Sequence, residues 1–173
     1  MRGHYPADLV ALAMTQHELR RRAGAKFSAA DRLFFTREGL EQATSEPIAR
    51  HRAGRYAGHA RVLDLCTGIG GDLMALAATA GVRRLVAVDR GPVHLRLAEA
   101  NVRTVCPEVD LAALLADVRD VDLEGADAVF IDPARRTTHG RLVGTDSEPP
   151  LAWALAMVHR IGNVGIKAAP GLP

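Results

Sequence analysis

Residues 62–72 read Val-Leu-Asp-Leu-Cys-Thr-Gly-Ile-Gly-Gly-Asp, and no other stretch constrains the fold of this chain as tightly. A short apolar run containing an acid passes into a glycine-rich turn and then opens a helical pattern at Leu73-Met-Ala-Leu-Ala77. Gly68, Gly70 and Gly71 carry no Cβ, so a ligand can approach the backbone closely. Asp64 falls at the carboxyl end of the expected strand, where open α/β sheets bind their ligands. A carboxylate in that position favours a cationic ligand group, such as an amine, over a pyrophosphate.

The same rhythm continues downstream. Strands are expected at 62–65, 85–88, 111–116 (chiefly its last residues), 128–131 and 164–168, with helices at 72–80, 93–105 and 150–160 between them. Gly81 offers a C-cap to the first of these helices. Four successive strands end near an acid: Asp64, Asp89, Asp117 and Asp132. Strands alternating with helices imply a doubly wound parallel sheet with helices on both faces, a Rossmann-like α/β fold. Aromatic residues make up only 4% of the chain, so Ala, Val and Leu must fill the core.

Residues 1–58 follow a different pattern and are expected to form an N-terminal helical cap, leaving 59–173 as the Rossmann-like domain. Apolar positions at helical spacing run through 7–23 and end in Arg20-Arg-Arg22, which suits the negative end of the helix dipole. Ser28 is placed to cap a helix over 29–34, and Ser45-Glu-Pro47 marks a second start. Gly54 and Gly58 bound a linker. Residues 137–149 read as an exposed, mobile loop.

The first loop discriminates between nucleotide cofactors. Asp89, with its neighbour Arg90, closes the second strand, where a carboxylate accepts both ribose hydroxyls; this fits NAD as well as S-adenosylmethionine. A dinucleotide loop needs a third glycine at the position occupied by Leu73. Acids at both ends of the turn, Asp64 and Asp72, disfavour pyrophosphate and suit the ammonium of a methionine moiety. The expected cofactor is therefore S-adenosylmethionine. Asp117 is placed to meet the adenine amine and the Val118 amide a ring nitrogen, although a solvated strand-end aspartate is an alternative for Asp117. Asp72 reads equally as helix N-cap and as cofactor contact. Cys66 is expected to serve through its small size and backbone rather than as a nucleophile.

Charge and cysteine content exclude little. The net charge of +2 neither requires nor forbids a nucleic-acid partner. Cys66 and Cys106 make no disulfide scaffold, no Cys/His spacing suggests a metal, and His51, His94, His139 and His159 read as surface or packing residues. No membrane helix or signal peptide is expected, and a reducing cytoplasm is the simplest setting.

From Asp64-x-Cys-x-Gly68-x-Gly70-Gly-Asp72 together with Asp89, residues 60–170 resemble the class I S-adenosylmethionine-dependent methyltransferases. A closer resemblance is to the trimethylguanosine-synthase-like branch and to bacterial methyltransferases with a downstream THUMP-like RNA-binding domain. It is carried by residues 34–51, which look like that branch's helical entry segment. The resemblance implies that Thr44 touches the methionine end of the cofactor. It also implies a catalytic role for Asp132-Pro133: enzymes that methylate a base amino nitrogen often carry Asp/Asn-Pro-Pro and an aromatic here, the acid accepting a hydrogen bond from the amine. This sequence keeps Asp132 and Pro133 but continues Ala134-Arg135-Arg136. Arg135 then falls to catalysis by stacking on a base, and Arg135 and Arg136 to substrate binding through base or phosphate. The expected partner is RNA. The family's usual sheet has seven strands in the order 3-2-1-4-5-7-6. Five are legible here, so the fold reads as truncated: either the chain is a fragment or something else completes the sheet. A binding module without catalysis and, less favoured, a nicotinamide-dependent oxidoreductase are the alternative functions.

Overall fold

The structure is a computed structural model, and it describes residues 5–134, 136–137, 140–141 and 147–168. Arg135, expected in catalysis and substrate binding, and His139 lie outside the described residues; Arg136 is described through its backbone only.

Five parallel strands form the central sheet: β1 (Arg61–Leu65), β2 (Arg84–Asp89), β3 (Asp110–Leu115), β4 (Ala128–Ile131) and β7 (Val164–Ile166), in the order β3-β2-β1-β4-β7. A separate antiparallel ribbon pairs β5 (Arg136–Thr137) with β6 (Gly140–Arg141). The chain runs outward from β1 through β2 to β3, then returns to β4 on the other side. The topological switch point, where such sheets bind ligands, is therefore at the carboxyl ends of β1 and β4.

Strand alternation builds two cores. Val62, Leu85, Ala87, Ala128 and Phe130 face one side, under α4 (Gly71–Ala77) and α5 (Pro92–Val105). Leu63, Leu65, Val86, Val88, Val129 and Ile131 face the other, against Val118, Val121 and Leu123 and the helix α6 (Leu151–Ala156). Fully buried strand residues on both faces are what a parallel sheet demands.

The N-terminal segment consists of α1 (Ala7–Ala23), α2 (Arg37–Gln42) and α3 (Glu46–Ala53). Its Leu19, Ala23, Phe27, Leu33 and Phe35 belong to the same hydrophobic cluster as Val62, Leu73 and Phe130, so cap and sheet share one core. Asn101 of α5, fully buried, staples them together. It accepts from the Phe34 amide (2.8 Å) and donates to the carbonyls of Phe34 and Ile69 (3.0 Å each).

Several expected boundaries are corrected. No helix forms over 29–34: residues 28–32 are turns, and 33–36 take no regular secondary structure. Side chains satisfy the backbone in and beside this stretch instead. The Phe35 amide donates to Gln16 Oε1 (3.1 Å), the Leu33 carbonyl accepts from Arg20 Nε (2.8 Å), and the Ser28 amide donates to Glu46 Oε2 (2.7 Å). The helix expected over 72–80 stops at Ala77, with Gly81 at φ +93° in the turn beyond; that expected over 150–160 ends at Ala156 in a 3-10 turn, Met157–His159. The last strand ends at Ile166 rather than 168. The linker folds as a 3-10 turn, Gly54–Tyr56, that buries Tyr56 with its hydroxyl donating to the Val129 carbonyl (3.2 Å). Gly165 of β7 makes room for that ring, since a Cβ there would lie 2.1 Å from the Tyr56 oxygen. Within the expected loop 137–149, residues 138–139 and 142–146 lie outside the described residues, while Glu148 bridges Ala134 and Pro149 is buried.

Candidate cofactor and substrate site

The glycine turn opens with a sharp reversal after β1. The amides of Cys66 and Thr67 both donate to the Val88 carbonyl (2.9 and 3.1 Å), which locks the turn to β2. Cys66 sits at φ +67°, a left-handed conformation that strains a residue carrying a Cβ. Burial pushes its thiol far above the ordinary range, with Asp89 and Asp64 adding to the effect, which fits a backbone role and not a nucleophile. Gly70, at φ +87°, is the N-cap of α4, and a Cβ there would lie 3.0 Å from Ala98 Cα. Glycine is thus required twice over at this position, for conformation and for closeness to α5.

Around the turn stand four carboxylates. Asp64 is 1% exposed; its Oδ2 accepts from the Thr67 hydroxyl (2.7 Å), and its Oδ1 is buried without a hydrogen-bond partner. Burial raises its pKa to about 8, against the pull of Thr67 and with help from Asp72, Asp132 and Asp89. Asp89 spans two loops, accepting from the Gly68 amide (2.8 Å) and the Gly91 amide (2.7 Å). Asp72 lies in the first turn of α4 but is not its N-cap, a position held by Gly70; it accepts from the Thr44 hydroxyl (2.9 Å) and pairs with Arg52 of α3. Asp132 follows β4, its amide donating to the Leu65 carbonyl (3.1 Å) and its carboxylate meeting Lys167 Nζ at 2.5 Å. Burial holds the Asp132 carboxyl above the usual range, and the Lys167 ammonium opposes that rise.

A second group of expected residues lines one narrow cleft of about 70 Å³: Cys66, Asp89, Arg90, Asp117 and Val118, closed by Ala134, Glu148 and Pro149. Asp117 caps the 3-10 turn Val118–Asp120 by accepting from the Arg119 amide (2.9 Å), and the Arg119 guanidinium holds its carboxyl down at about 2. Arg119 also reaches Glu148 (2.9 Å), and Arg90 lies 3.9 Å from the same carboxylate. Pro133 is buried beside Asp132. A larger cavity of about 240 Å³ lies elsewhere, between the cap and α4–α5, floored by Phe27, Leu33, Met74 and Val105.

The structure thus brings Thr44, Asp64, Asp72 and Asp132 to one rim, with Cys66, Gly68 and Asp89 adjoining Asp117 and Val118. Three polar residues escaped sequence reading: Arg52, Lys167 and Asn101. Lys167 had a signal, a lone cation ending the fifth apolar strand. Arg52 and Asn101 lie on helices among other polar residues, and nothing local distinguishes them. His94 makes a packing contact, its Nε2 3.3 Å from the Thr36 hydroxyl. Among the described residues no helix is long and apolar enough to cross a membrane.

A buried carboxyl among acids is held protonated until a cationic group sits beside it, and pairing with such a group ionises it. The residues therefore fit a ligand that brings a cationic group to Asp64.

No known family model matches the chain. Two curated relatives, uncharacterized S-adenosylmethionine-dependent methyltransferases from the CDC 1551 / Oshkosh and ATCC 25618 / H37Rv strains of Mycobacterium tuberculosis, are each 38% identical to it over 160 residues, covering 89% of this chain and 43% of theirs. The chain therefore spans less than half the length of the curated relatives it matches. A crystal structure of a protein named as a methyltransferase from Porphyromonas gingivalis W83 superposes with a TM-score of 0.71 at 23% identity, over 91% of this chain and 40% of that one. At that identity the likeness concerns the fold alone. With five parallel strands, helices on both faces and a glycine turn after β1, the chain has the Rossmann-like fold of the class I methyltransferases.

Proposed function

We propose that this chain is the cofactor-binding and methyl-transferring part of an S-adenosylmethionine-dependent methyltransferase that acts on an amino nitrogen of an RNA base, in the trimethylguanosine-synthase-like branch. The observation that carries the reading is Asp64, buried to 1% exposure with one carboxylate oxygen unpartnered beside the glycine turn. Asp64 and the Thr44–Asp72 pair receive the methionine ammonium, Asp89 the ribose diol, and Asp117 and Val118 the adenine. Their cleft amounts to a few water volumes, so a nucleoside enters it by displacing Glu148 from Arg119.

Bound S-adenosylmethionine supplies a methyl group already activated on a sulfonium, so the protein contributes proximity and alignment. Asp132 accepts a hydrogen bond from the attacking amine and aims its lone pair at the methyl. Arg135 and Arg136 hold base or phosphate. The basic residues after Asp132-Pro133 support RNA over a small acceptor, and the name carried by the mycobacterial relatives supports the cofactor.

The test is tritium transfer from labelled S-adenosylmethionine into RNA, protein and metabolite fractions, comparing this chain with a longer natural form. Label in RNA is expected; label confined to another fraction refutes the RNA acceptor, and no label in any fraction refutes the transferase. Asp132→Ala is expected to lose transfer while keeping cofactor affinity; full activity would remove Asp132 from the reaction. Asp89→Ala is expected to weaken cofactor binding by about 10- to 100-fold in calorimetry, because a charged acceptor for two hydroxyls is lost along with two loop anchors. Unchanged affinity would refute the ribose assignment.

A further inference from the structure

Parallel pairing places Val129 beside Val164, Phe130 beside Gly165 and Ile131 beside Ile166. One step further in this register, Asp132 falls beside Lys167, and the Lys167 amide donates to the Ile131 carbonyl (2.9 Å). Directly registered neighbours project to the same face. The resulting ion pair is partly buried, with side-chain exposures of 17% for Lys167 and 28% for Asp132.

The surroundings make this pair matter. Asp132 is faced by Asp72 from α4, Asp64 from β1, Arg52 from α3 and Lys167 directly after β7. Arg52 is engaged by Asp72. The next cation, Lys26, sits near Lys167 but gives its ammonium to the carbonyls of Leu40, Glu41 and Ala43 (2.7, 3.1 and 2.8 Å). Among the described residues, Lys167 is thus the cation within hydrogen-bond reach of Asp132. Without it, Asp132 would stand among acids in a partly desolvated rim, and such a carboxyl takes up a proton. A protonated carboxyl donates as well as accepts, which changes what it can hold.

The geometry points to Lys167 as a positioning residue that keeps Asp132 an ionised acceptor and thereby makes the site select methyl acceptors that present a hydrogen-bond donor. This rests on the methyltransferase reading for its consequence, not for its charge state. Lys167 touches neither acceptor nor cofactor in this role; it acts through Asp132.

The two levels are separated by experiment. Carbon-13 NMR titration of the Asp132 carboxyl in the full chain, assigned with Asp132→Asn, is compared for wild type, Lys167→Met and Lys167→Arg. The midpoint is expected to rise by about one pH unit or more in Lys167→Met, equivalent to a tenfold change in proton affinity, and to stay near the wild-type value in Lys167→Arg. In the transfer assay the acidic limb of kcat/KM moves up with the carboxyl midpoint in Lys167→Met and returns in Lys167→Arg. An unmoved midpoint in Lys167→Met overturns the inference, as does a moved midpoint with an unmoved limb. Should the wild type transfer methyl to nothing, the transferase reading fails, and the titration by itself decides whether Lys167 sets the charge of Asp132.

Discussion

Asp64→Asn is expected to melt at a higher temperature than the wild type at pH 8, in the ligand-free state, and to bind S-adenosylmethionine about 10- to 100-fold more weakly. The two effects share a cause. An aspartate with a folded pKa of about 8 and an ordinary value of 3.8 must be stripped of solvent against the preference of its charged form. Folding then takes up a proton, and stability is lost as pH rises between those two values: fully present below about pH 4, declining toward pH 8, constant above. The slope across that window reaches about 1.4 kcal/mol per pH unit. Asparagine keeps an acceptor for the Thr67 hydroxyl and carries no charge; its unpartnered amide costs about 1–3 kcal/mol, less than what is removed at pH 8 and more than what is removed at pH 4. The melting curves of the two proteins, measured by calorimetry from pH 4 to 9, should therefore cross, the variant being the less stable at the acid end. Curves that run parallel throughout would show that Asp64 is not held protonated by the fold. A binding site that destabilises its own ligand-free protein is a common consequence of preparing a charge for a ligand.

How much of this was legible in the sequence follows from the range of each interaction. The glycine turn, the strand rhythm and the strand-end acids are local patterns, and the sheet order β3-β2-β1-β4-β7 agrees with the 3-2-1-4-5 part of the order that the family resemblance implied. In place of the helix expected over 29–34, the backbone of Leu33 and Phe34 is satisfied by Arg20 and Asn101, 13 and 67 positions away. The N-cap reading of Asp72 failed for a related reason: the left-handed Gly70 already starts the helix, which releases the Asp72 carboxylate to reach Thr44 and Arg52. Lys167 needed the register of β4 with β7 before it could be matched to Asp132. Acids announce themselves by position at strand ends, whereas the cations that balance them come from elements whose placement only tertiary packing decides.

That balance yields the second large effect. Arg52→Met is expected to destabilise the protein by about 3–5 kcal/mol, because it strands a buried carboxylate. Asp72 has 10% of its side chain exposed and Arg52 24%, so solvent cannot replace the lost partner, and the Thr44 hydroxyl alone remains on the carboxylate. The guanidinium also lies 5.3 Å from the centre of the Phe130 ring on β4, a cation–π contact that methionine gives up. For a chain of this size the loss should lower the melting temperature by about 10 °C. The double variant Arg52→Met/Asp72→Asn is expected to recover much of it, since the stranded charge is then gone; a coupling energy of about 1 kcal/mol or more in the cycle would establish the pair. Additive single effects would assign the loss to packing on Phe130 instead. The pair joins α3 of the cap to the first turn of α4, beside the glycine turn, so its failure should loosen the cofactor loop before it unfolds the sheet. Hydrogen exchange in Arg52→Met should accordingly quicken first at the amides of residues 66–72, while those of β1 and β4 stay protected.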